Sequence, residues 1–174
     1  VAENPLLITQ MREPGCAQVL IGLESPVADG LQALNALQLE ARRLPQYREA
    51  IQTIQEHGIT VNGCFVIGLD GHGPDIFDQV FDFVDSSGLY EVQVTIQTPF
   101  PGTPLYARLA REGRLLEPRN WRKCTLFDIN YEPANMTRQE LHDGFHKLVV
   151  RLYGEEFTRR RRERFRQLRR GRKT

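Results

Sequence analysis

The sequence predicts an α/β fold with about three parallel strands, part of a barrel or half barrel, followed by a helical extension. Three observations predict it. Short runs rich in Val and Ile, "QVLIGLES" (18–25), "ITVNGCFVIGL" (59–69) and "YEVQVTIQT" (90–98), have the composition of half-buried strands. Segments with helical periodicity separate them, and this alternation implies parallel strands joined by right-handed crossovers. Three such strands alone would leave the first as an exposed edge, so a piece of a larger sheet is expected.

Each element has its own signals. Residues 5–13 read as a helix stopped near Pro14-Gly15. The connection between the first two strands has helical character at Leu31–Ala41. In "LPQYREAIQTIQEHG", Tyr47, Ile51 and Ile54 share one face and Gly58 supplies a stop. In "GPDIFDQVFDFVDSSG", Ile76, Val80, Phe83 and Val84 do the same, between Pro74-Asp75 and Gly88. "PLYARLAREG" gives a shorter helix closing on Gly113. Trp121 and Tyr131 fall in a loop and short strand. Thr137 and Glu140 then form a capping box ahead of a stripe of Leu141, Phe145, Leu148, Val149 and Leu152. That helix should dock on the rest, with its arginine-rich continuation projecting into solvent. The expected division is 1–117 for the barrel part and 118–174 for the extension.

Composition narrows the class. With 40% hydrophobic and 26% charged residues among 174, the chain suits one globular core rather than disorder. No apolar run is long enough to cross a bilayer, and no basic leader precedes an apolar stretch. Cys16, Cys64 and Cys124 are odd in number and widely spaced, which favours a reducing, cytoplasmic compartment over a disulfide framework. The chain opens on Val1 with a helical pattern close behind, so a preceding segment of a larger protein is expected. Net charge is +1, yet "TRRRRERFRQLRRGRKT" (158–174) carries nine Arg and one Lys against one Glu. Such asymmetry suits either a solvated helix end or an acidic partner, nucleic acid or a membrane surface.

Strand alternation assigns two faces to the sheet. Val92, Val94 and Ile96 should meet the helices. Gln93, Thr95 and Gln97 should look the other way, with Gly22, Glu24, Asn62, Cys64 and Gly68 from the other strands. Three buried polar groups without partners would cost several kcal/mol, so this face should meet a ligand or solvent. Ligands of parallel α/β sheets bind at the carboxyl ends of the strands.

The motifs then carry a family likeness. "GCAQVLIGLESP", "REAIQTIQEHGITVNGCFVIGLDG" and "VTIQTPFPGTPLYARLAREGRL" resemble, in order and spacing, the second half of a radical SAM domain of the cobalamin-binding-domain type. The resemblance covers roughly residues 1–135. It implies a partial (β/α)6 TIM-like barrel, S-adenosylmethionine (SAM), a [4Fe-4S] cluster and, through a separate N-terminal domain, cobalamin. It further implies a SAM site made of Glu24, Ser25, Asn62, Cys64, Gly68, Gln97, Thr98 and Pro99. Glu24 would accept hydrogen bonds from the ribose hydroxyls. Some relatives carry an acidic residue at Cys64, so Asn62 is the better polar contact on that strand. The stiff turn after Thr98 would run beside the adenine.

The sequence departs from the family in having no CxxxCxxC, the thiolate set that holds three irons of the cluster. A fragment that is inactive alone is therefore expected, with catalytic residues unknown and no metal ligand in this chain. His142 and His146, four apart on a helix, lack a third ligand and read as surface residues. "GLDGHG" (68–73) lacks the GK[ST] of a phosphate loop and reads as a strand-to-helix turn. Two rival functions are a nucleic-acid-binding protein working through 158–174 and a barrel enzyme that uses no cluster.

Overall fold

Asn4 and Pro5 start the first helix by separate means. The Asn4 side chain accepts the Leu7 N–H at 3.1 Å, and Pro5 needs no N–H partner at the first helical position. The computed structural model describes residues 4–32 and 46–171, so most of the helix expected at Leu31–Ala41 lies outside the described residues. The elements are α1 (Pro5–Arg12), β1 (Gln18–Glu24), α2 (Ala28–Gln32), α3 (Tyr47–Glu56), β2 (Thr60–Ile67), α4 (Ile76–Ser87), β3 (Glu91–Ile96), α5 (Pro104–Arg111), α6 (Arg138–Tyr153) and α7 (Glu155–Gly171). A single 3-10 turn, Trp121–Lys123, interrupts the long connection after α5.

The three strands form one sheet in the order β1-β2-β3, parallel throughout, as the alternating pattern implies. One face is apolar and covered: Leu23, Val61, Phe65, Ile67, Val92, Val94 and Ile96 are buried with Ile51 and Ile54 of α3 and Val80, Phe83 and Val84 of α4. Fully burying an aliphatic or aromatic side chain of this size contributes about 1.5–3 kcal/mol, so this face holds the fold. Gln55 fastens α3 to the start of β3, donating to the Gly88 carbonyl at 2.9 Å and accepting the Tyr90 N–H at 3.0 Å. Among the described residues no helix lies upon the opposite face, where Leu20 on β1 is 66% exposed.

The extension closes the edge of β3 that β2 does not meet. The Leu126 carbonyl accepts the Ile96 N–H at 2.7 Å, and the Tyr153 hydroxyl donates to the Val92 carbonyl at 3.0 Å. Leu115 and Tyr131 form an antiparallel bridge beneath them. The capping box at Thr137 and Glu140 is present, and Leu141, Leu148 and Leu152 are the buried members of the α6 stripe.

The arginine-rich segment corrects an expectation. It does not project into solvent; Gly154 turns the chain (φ −54°, ψ 142°) and α7 runs back along the domain. Arg161 is 1% exposed and donates to the carbonyls of Tyr90 (3.3 Å) and Leu152 (3.1 Å). Phe165 is buried edge-on to Tyr90. Arg160 and Arg164 pair with Asp85 at 3.2 and 2.8 Å, and Arg162 pairs with Glu91 at 3.2 Å. Much of the acidic partner that the charge asymmetry called for is therefore the chain's own domain.

Arg161→Ala should cost about 2–3 kcal/mol, because a buried and a half-buried carbonyl lose a charged donor. Arg166→Ala, at an exposed position, should change stability by no more than about 0.5 kcal/mol. Urea unfolding midpoints of the two variants check the contrast.

Candidate functional site

The polar groups of the open face line up across the strands. Gly22, Cys64 and Gln93 are register partners, and the Cys64 thiol donates to Gln93 Oε1 at 3.8 Å. Beyond this row the β1 register slips between Gly22 and Glu24, a bulge at Leu23. Glu24 takes a left-handed φ of 58°, uncommon for a residue with a side chain. Its carboxylate folds back over the sheet: a Cβ on Gly22 would lie 2.4 Å from Glu24 Oε1. Burial first, and the Glu24 charge second, push the Cys64 thiol up, so it stays protonated beside that carboxylate.

Two acceptors on this sheet lack donors among the described residues: Asn62 Oδ1 and Gln97 Oε1 are buried and accept no hydrogen bond there. Each such atom costs about 1–3 kcal/mol, which a bound N–H or O–H donor would recover. Gln97 and Thr98 are 6% and 8% exposed, and Pro99 is buried as well. The Thr98 hydroxyl is already used, donating to the Ile96 carbonyl at 3.1 Å. Thr103 closes the turn by capping α5, where Pro104 takes the first position.

Two expected site residues face elsewhere. Gly68 has φ 87°, and a Cβ there would meet Tyr131 Oη at 2.1 Å, so it faces the extension rather than the open face. Its carbonyl accepts the Tyr131 hydroxyl at 2.7 Å. Ser25 is fully buried, and its hydroxyl is held by His72 Nε2 at 2.9 Å and by the Val27 N–H at 3.2 Å.

The turn after β2 does more than join a strand to a helix. Asp70 binds Arg114 at 2.6 Å and also Arg108. Burial works to raise the Asp70 carboxyl, but the hydrogen bonds from Arg114 and Arg108, with their charges, outweigh it and hold it below the usual carboxylate range. Asn135 donates to the Asp70 carbonyl at 2.6 Å. His72 Nδ1 accepts the Leu69 N–H at 3.3 Å, which leaves the proton on Nε2 to donate to Ser25. Burial pushes the imidazole down to about 4, with Asp75 opposing, so it is neutral at physiological pH. Asp70, His72, Arg108, Arg114 and Tyr131 were given no functional role from sequence. The available signal was polar residues in a glycine-rich turn at a strand's carboxyl end.

Among the described residues no group of three or more His, Cys, Asp or Glu is placed to hold a metal ion, and Cys16, Cys64 and Cys124 are all free. These residues do not fit an iron–sulfur cluster. His142 and His146 are exposed, and His142 pairs with Asp143 at 2.9 Å.

An open polar face at the carboxyl ends of parallel strands, with apolar helices behind it, defines an α/β protein of the partial-barrel type. Comparison with known proteins then narrows the class. Residues 103–174 match DUF4070, a domain of unknown function. The chain is 29% identical over 170 residues to the hopanoid C-2 methylase of Rhodopseudomonas palustris, covering 88% of this chain and 31% of that protein. It is 27% identical over 139 residues to the bacteriochlorophyllide d C-12(1)-methyltransferase of Chlorobaculum tepidum (80% of this chain, 29% of that protein). It is 23% identical over 153 residues to the anaerobic magnesium-protoporphyrin IX monomethyl ester cyclase of Cereibacter sphaeroides (88% and 24%). These likenesses agree with the resemblance of its three motifs to radical SAM proteins of the cobalamin-binding type. It spans about three tenths of the length of the first two of these relatives.

His72 makes stability depend on pH in a defined window. Between about 4 and the ordinary 6.5, the unfolded chain binds a proton that the folded chain refuses. Stability should therefore be full above that window and fall as pH drops through it, by up to about 3 kcal/mol. His72→Gln should remove this part of the slope, as read by urea unfolding at a series of pH values.

Proposed function

We propose that this chain supplies the SAM-binding half of a radical SAM enzyme whose cluster ligands lie outside it. The observation that supports this best is the Glu24 carboxylate folded back over the open face, on the same sheet as the unpartnered acceptors Asn62 Oδ1 and Gln97 Oε1. In this reading Glu24 accepts from the ribose hydroxyls, and Asn62 and Gln97 accept N–H or O–H groups of SAM or substrate. Cys64, Thr98 and Pro99 belong to the same site in this reading, while Ser25 and Gly68 shape its loops from behind. With a [4Fe-4S] cluster held outside these residues and a one-electron reductant, SAM in this site would supply hydrogen-abstracting radical chemistry. This chain's part is to bind and orient, and to keep an uncharged thiol and amides, rather than competing charges, around the ligand.

The relatives favour methyl transfer as the reaction class, since two of them are named for it. We extend to this protein the use of cobalamin, through a domain outside these residues, and a cytoplasmic setting that suits three free thiols. Among the described residues no helix is long and apolar enough to cross a membrane. The nucleic-acid reading is not supported, because Arg160, Arg161, Arg162 and Arg164 are engaged by the domain itself.

In the protein carrying its cluster, Glu24→Ala should weaken SAM binding roughly tenfold to a hundredfold, the worth of a charged hydrogen bond pair. Equilibrium dialysis reads the affinity and visible absorption reads the cluster, which should be unchanged. Unaltered affinity in this variant would remove Glu24 from the site. Anaerobic iron and sulfide reconstitution tests the cluster itself. Failure to generate its absorption band would favour a barrel enzyme that works without one.

A further inference from the structure

The left-handed Glu24 is the last residue of β1, register partner of Phe65. Past that pair β1 leaves the sheet, while β2 continues through Val66 and Ile67 against β3. A residue with a side chain at φ 58° relaxes unless its surroundings prevent it. Among those surroundings is the residue that follows. Ser25 is fully buried, and its N–H donates to the Leu23 carbonyl at 2.7 Å across the bulge. Its hydroxyl is gripped by His72, which belongs to the other loop.

The fit between the loops is tight on both sides of that bond. At Gly30 a Cβ would stand 2.3 Å from His72 Nε2 and 2.5 Å from Ser25 Oγ. At Gly71 a Cβ would stand 2.1 Å from the Asp29 carbonyl oxygen. Backbone meets backbone, and the imidazole is the polar pin between them. His72 is 1% exposed with both ring nitrogens bonded, so it is unsuited to trading protons with a ligand.

We propose that His72 is a positioning residue: through Ser25 it sets the backbone of Glu24 and thereby aims the carboxylate over the open face. The reading of Glu24 as a SAM ligand underlies the functional half of this proposal, while the geometric half stands without it. In the absence of the pin, the β1–α2 loop parts from the β2–α4 loop. Glu24 then returns to negative φ and its carboxylate leaves Gly22.

Two measurements test the proposal. The first is solution NMR of the labelled 174-residue chain, reading the Glu24 backbone shifts and its three-bond HN–Hα coupling. His72→Ala should move both, and His72→Gln, which keeps an amide donor near the Nε2 position, should restore them. Ser25→Ala deletes one oxygen and should move them in the same direction; it serves as the variant if His72→Ala does not fold. Glu24 signals unchanged in Ser25→Ala or His72→Ala would overturn the pin.

The second is SAM affinity of the cluster-loaded protein in a double-mutant cycle. His72→Ala and Glu24→Gln should each weaken binding about tenfold, and the double variant should be no weaker than Glu24→Gln alone. Losses that multiply would overturn the route through Glu24. If Glu24→Gln binds SAM normally, the ligand assignment fails, yet the NMR result still decides whether His72 sets Glu24.

Discussion

The turn that leaves β2 collects its neighbours because a parallel sheet brings all of its strand ends to one side. Gly68, Asp70 and His72 accept or donate bonds from the β1 loop, from α5, from the segment beyond it and from the approach to α6. None of those partners lies within 35 residues of the turn in sequence. The apolar face of the sheet supplies most of the cohesion, but this turn decides how the loops sit on top of it. Gly68 is needed there because its φ of 87° and the Tyr131 hydroxyl leave no room for a side chain.

Much of the fold was legible in the residues. Period-2 and period-3.6 patterns placed the strands and helices, and Pro104, Gly88 and the Thr137–Glu140 pair marked helix ends through local chemistry. The division of the sheet into two faces was equally readable, since Val92, Val94 and Ile96 alternate with Gln93 and Thr95. What could not be read was pairing at long range. Nothing local to "GLDGHG" says that its histidine meets Ser25 or that its aspartate meets two arginines. Nor does an arginine block announce that Arg161 will be buried, because side-chain charge alone argues for water.

The candidate site divides in the same way. Glu24, Asn62, Cys64 and Gln97 were named from alternation and resemblance, and strand geometry sets the first three on the open face or folded over it. Ser25 and Gly68 belong to the same motifs but turn toward protein. A motif fixes the order of residues along a strand. Which way each one faces after the strand ends depends on φ, and here the bulge at Leu23 and the left-handed Gly68 change it.

The closure of the β3 edge also bears on how the chain is made. Val92 obtains its outer partner from Tyr153, and Tyr90 from Arg161, 61 and 71 residues later. During synthesis the sheet can form while these two carbonyls are bonded to water. A nascent chain therefore exposes a strand edge competent to pair with another nascent chain until α6 and α7 have left the ribosome. The arginines that make α7 look like a binding arm are, on this view, what seals the outer edge of β3 once that helix has emerged.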